Sequence, residues 1–97
     1  MADTDQRYEA LLRAMADLVA ALRSLNEAHW AEWVEQDRRR IENGDGYGIE
    51  HFLSAFGGMG SLNDVRLDGS FGRTGEMMSR CYDLAREIRR ELDRRAP

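Results

Sequence analysis

Glu32 and Glu35 are the first residues in this chain whose types and spacing suggest chemistry. Carboxylates three apart on a helix project from one face and can share a divalent cation. Metal-dependent nucleotide hydrolysis on an all-α frame needs a second such step on a following helix. Asp83, Glu87 and Glu91, spaced by four, supply only a loose stand-in. His29 and His51 are not preceded at three residues by Glu, so the E-x-x-H steps of a di-iron bundle are missing. Each histidine reads as a helix-surface or partly buried residue. Cys81, the single cysteine, falls on an apolar helical stripe and reads as a small buried hydrophobe. One cysteine makes neither an internal disulfide nor a zinc cage. No catalytic residues, metal ligands or cofactors are assigned.

Glycine is the other local anomaly. Gly44, Gly46 and Gly48 alternate, and Gly57, Gly58 and Gly60 follow an apolar run. Phosphate-cradling loops follow a strand and open a helix, usually with a lysine. Neither condition holds, and the chain has no lysine at all. Caps and tight turns account for these glycines. The segment Phe52 to Asn63 carries no charge yet includes Phe56, Met59 and Leu62. It either covers the core or faces a partner.

Periodicity supplies the elements that must position these residues. Tyr8, Leu11, Leu12, Met15, Leu18, Val19, Leu22 and Leu25 recur at helical spacing. Trp30, Trp33, Val34 and Ile41 mark a second helix, with Ser24 and Glu27 as a capping box before it and Gly44 after it. Ile49, Phe52, Leu53 and Phe56 mark a short third helix. Met77, Cys81, Leu84, Ala85, Ile88 and Leu92 mark a fourth, with Thr74 as its N-cap. Glu76–Arg80 and Glu91–Arg95 are favourable i, i+4 pairs. The expected fold is therefore all-α: a single-domain helical bundle spanning 1–97. Its helices should cover about 4–24, 27–43, 48–57 and 75–95. Gly72 to Gly75 read as turn, and 57–74 as a long loop. Val65 to Leu67 is a short extended piece at most.

Composition narrows the function classes. The 97 residues include 18 acids and 14 basic residues, all of them arginine, for a formal charge of −4. Mean hydropathy is −0.64 and the sequence pI is near 5.1. No window approaches a membrane span, and the polar N-terminus is unlike a signal peptide. A cytoplasmic protein with no nucleic-acid or membrane partner is expected. The absence of lysine fits the codon usage of a GC-rich genome.

The stretch from His29 to Leu67 resembles a small bacterial family of unknown function. The resemblance rests on Trp30-x-x-Trp33, Gly44-Asp45, Gly48-Ile49 and, most specifically, the run from Phe56 to Asp64, FGGMGSLND. It covers about two-fifths of the chain, implies a bacterial origin and lends no catalytic residue. The chain is also similar in type, though not in motif, to the immunity proteins that accompany bacterial toxins. The leading expectation is thus a protein-binding module, such as an immunity protein that meets a basic toxin domain. Its contact residues would be Trp33, Phe56, Met59, Asn63 and Asp64, with Glu32, Glu35 and Asp45 steering. The alternatives are a metal-dependent nucleotide hydrolase built on Glu32 and Glu35, and a structural homodimer.

Overall fold

In the computed structural model of the chain, four helices run α1 (Ala2–Ser24), α2 (Ala28–Glu42), α3 (Tyr47–Ser54) and α4 (Phe71–Arg95). The structure describes residues 2–56 and 71–95, with the outermost positions 2–5, 71–74 and 95 as backbone alone. The 65–67 piece and the run after Phe56 lie outside the described residues. Among those described there is no strand, so the all-α expectation holds. Helix α1 packs on α2 and α4, and α3 packs on α2 and α4.

The apolar stripes meet in one core. Leu11, Met15, Leu18, Val19 and Leu22 of α1 face Ala31, Val34 and Ile41 of α2. Ile49 and Phe52 of α3, with Ala55 just after it, and Met78, Cys81, Ala85 and Ile88 of α4 close the other sides. Full burial of one such Leu, Ile or Phe contributes about 1.5–3 kcal/mol. Burial also pushes the Cys81 thiol up to about 12.

Two turns are set by backbone rather than by side-chain caps. After α1, Asn26 takes the left-handed conformation at φ 61°. Its N–H donates to the Arg23 carbonyl at 3.1 Å, and the Glu27 N–H donates to that of Leu22 at 2.9 Å. That is a Schellman closure with asparagine in the position glycine usually takes. The same pattern ends α2 at Gly44, φ +84°, with Gly44 N–H to Ile41 and Asp45 N–H to Arg40. The Ser24–Glu27 capping box does not form. Ser24 Oγ donates to the Ala21 carbonyl instead, and the entry to α2 has no side-chain cap.

Other expectations shift at the edges. Helix α1 opens at Ala2, α2 ends at Glu42, and α3 covers Tyr47–Ser54 rather than 48–57. The largest correction is α4, which opens at Phe71, so Gly72 to Gly75 are helical and Thr74 lies inside the helix. A helical glycine costs about 1 kcal/mol. A long helix anchored through Met78, Cys81, Ala85 and Ile88 absorbs that cost. Leu92 is 40% exposed and leaves the apolar stripe, whereas Met78 joins it. Glu76 and Arg80 make no ion pair among the described residues. Glu91 reaches Arg7 of α1 at 2.8 Å, and the Arg95 side chain of the other expected pair lies outside the described residues.

Gly48 is where α3 meets α2 most closely. A Cβ there would stand 2.9 Å from Arg40 Cβ and from the Asp37 carbonyl oxygen, and 3.0 Å from Ile41 Cγ1. Glycine is required for the approach itself, not for a turn. Gly48→Ala should therefore lower stability by about 1–3 kcal/mol in chemical denaturation, as overpacking does. Gly46→Ala, which meets open space, should cost far less. Cys81 should resist alkylation by iodoacetamide at neutral pH in the folded protein and react once denaturant is added.

Candidate functional site

The close approach at Gly48 brings a polar cluster together at the α2–α3 corner. Asp37 has no exposed surface although it sits in the charged stretch of α2. Its Oδ1 accepts from Arg40 at 2.8 Å and from His51 Nδ1 at 2.8 Å, and its Oδ2 lies 2.9 Å from the same nitrogen. A buried carboxylate needs such partners. Burial still dominates and holds the Asp37 carboxyl above its ordinary range, against the opposing pull of His51 and Arg40.

An aromatic ladder flanks the cluster. His51 stacks on Trp33 with centroids 4.2 Å apart and ring planes 10° from parallel. Tyr47 lies 5.5 Å from His51, and the Arg40 guanidinium stands 5.6 Å over the Tyr47 ring. His29 packs edge-on and Trp30 tilted against Trp33. The Tyr47 backbone N–H donates to Asp45 Oδ1 at 3.0 Å, an Asx turn that opens α3. Tyr47 is nonetheless 58% exposed. The indole N–H of Trp33 is buried and has no hydrogen-bond partner among the described residues.

With Nδ1–H donating to Asp37, a neutral His51 keeps Nε2 as its free ring nitrogen. A carboxylate holding imidazole in one tautomer is how hydrolases orient a base. No nucleophile completes that arrangement among the described residues. Ser54 Oγ donates to the His51 carbonyl, and the Cys81 thiol is buried in the core. The Asp37–His51 pair ties α3 to α2.

The expected site residues separate. Glu35 is buried, and Arg38 donates to both its oxygens at 2.7 and 2.8 Å, holding its carboxyl below the ordinary range. Glu32 is exposed and accepts from Gln36 at 3.3 Å. The two carboxylates do not form an open pair, and no group of three His, Cys, Asp or Glu able to hold a metal ion occurs among the described residues. Trp33 supports His51 from below. Phe56 packs edge-on against Phe52 and tilted on Tyr82. Asp45 is exposed and caps Tyr47. Met59, Asn63 and Asp64 lie outside the described residues. Sequence reasoning missed Asp37 and Arg40. The spacing Val34, Asp37, Ile41 was the available signal, because it places Asp37 on the apolar stripe.

The two buried acids predict opposite pH behaviour. For Asp37, whose carboxyl is raised, the stabilising contribution is full below its ordinary value of 3.8 and is lost as pH rises through the folded value. Asp37→Asn should gain stability relative to the parent across that rise. For Glu35, held below its ordinary 4.5, the contribution is present above that value and lost as pH falls through the folded one. Glu35→Gln should lose ground relative to the parent as pH climbs. Urea unfolding of both variants from about pH 3 to 7 checks the signs, and parallel slopes would contradict the assignment.

No curated protein and no solved structure matches the chain. A family match covers residues 23–75, more than half of the sequence, and takes in all of α2, all of α3 and the polar joint between them. The chain accordingly belongs to the family described as a domain of unknown function, DUF6966.

Proposed function

We propose that this protein is a bacterial protein-binding module, acting in the cytoplasm, whose contact surface is the α2–α3 corner. One observation carries the reading. Tyr47 is largely exposed yet pinned by Arg40, His51 and the Asp45 turn. An aromatic ring held in place loses little conformational freedom on binding, which is what interface anchors require. Asp45 beside it and Glu42 at the end of α2 are exposed acids. Residues 27–73 sum to −4, the whole formal charge of the chain. Such a surface favours encounter with a basic partner.

A toxin-neutralising immunity protein is the most concrete form of this proposal. Co-expression with the product of the gene immediately upstream tests it. The expected outcome is relief of that product's toxicity and a stoichiometric complex by sedimentation. Tyr47→Ala should weaken the complex about tenfold or more, with the far-UV spectrum unchanged. An upstream product that is harmless on its own and forms no complex would overturn the proposal.

A further inference from the structure

A second site lies on the other flank of α3. A groove of about 470 Å³ runs between α3 and α4, lined by Glu50, Leu53, Tyr82, Arg86, Arg89 and Arg90 among others. Small-ligand sites commonly fall between helices and span roughly 300–1,000 Å³. Three guanidiniums within five residues of one helix repel each other unless acids neutralise them. Asp83 and Glu87 stand three residues before Arg86 and Arg90, the right spacing for pairing. Yet among the described residues neither arginine makes an ion pair or a hydrogen bond with an acid. Arg86 instead lies 5.7 Å over the Tyr82 ring, which fixes its position. Arg89 is the one of the three engaged by an acid, Glu50, at 3.5 Å, a contact that spans the groove from α4 to α3. Asp93 also lines the groove. Three arginines against Glu50 and Asp93 leave its lining at +1.

We propose that this groove binds a small phosphate monoester of about mononucleotide size. Arg86 and Arg90, four residues apart, would hold the phosphate, since guanidinium forks suit its oxygens. The groove is too large for the anion alone, and Leu53 with the Tyr82 ring offers an apolar wall for an organic body. Ser54 also lines the groove, but its hydroxyl proton is engaged by the His51 carbonyl, so it is not the donor. The site is independent of the Tyr47 surface, so either proposal can fail alone.

Calorimetric and NMR titration of the full chain with AMP, adenosine and inorganic phosphate tests it. Saturable AMP binding is expected, with perturbed amides centred on α4 and the end of α3. Adenosine and inorganic phosphate should each bind more weakly than AMP. Arg86→Gln and Arg90→Gln, both exposed substitutions, should each lower AMP affinity about tenfold, the scale of a charged hydrogen bond. Arg39→Gln on α2 should leave it unchanged. Absence of saturable binding at millimolar AMP would overturn the proposal. So would equal loss from Arg39→Gln, or equal affinity for AMP and inorganic phosphate.

Discussion

A carboxylate without exposed surface cannot be left alone, and much of the α2–α3 corner follows from that. Asp37 lies on the buried side of α2, between Val34 and Ile41. An unpaired charge there would cost several kcal/mol. Arg40 from its own helix and His51 from the next supply the bonds. His51 can do so only because α3 comes close enough, and α3 comes close because position 48 has no Cβ. The stack of Trp33, His51 and Tyr47 is then a consequence of where the imidazole must sit. A hydrophobic residue at 37 would pack the helices as well, but it would not dictate which turn of α3 faces which turn of α2. We ascribe the retention of the charge to this choice of register.

The same joint divides the molecule electrostatically. Exposed acids gather around the corner, while α4 carries seven of the fourteen arginines. On α2 the arginines are largely absorbed: Arg38 and Arg39 by Glu35, Arg40 by Asp37. On α4 several are not. The two proposed sites therefore share α3 as a common wall and call for partners of opposite charge.

The helices were legible because their apolar spacing is strong, and Gly44 was legible because a left-handed residue after an amphipathic run has few alternatives. The start of α4 was not, since Gly72 and Gly75 carry turn propensity that a long anchored helix overrides. Asp37 hid for a different reason. In a run from Glu35 to Arg40 every charge looks solvated, and its partner His51 lies fourteen residues away. Gly48 was visible as a glycine but not as a contact, because close approach is a property of two helices rather than of one. Asn26 closes α1 in the left-handed conformation, which asparagine tolerates better than most residues, and no apolar spacing marks that role.

The bond between Arg7 and Glu91 joins residues from opposite ends of the sequence and has a bearing on how the chain is made. Leu11, Met15, Leu18 and Leu22 need α2 on one side and α4 on the other. During synthesis α1, α2 and α3 emerge first, and one flank of α1 stays bare until α4 follows. Non-local closure of this kind slows folding and leaves apolar surface open in the meantime. The apolar flank of α1 is therefore covered only once the C-terminal helix packs against it.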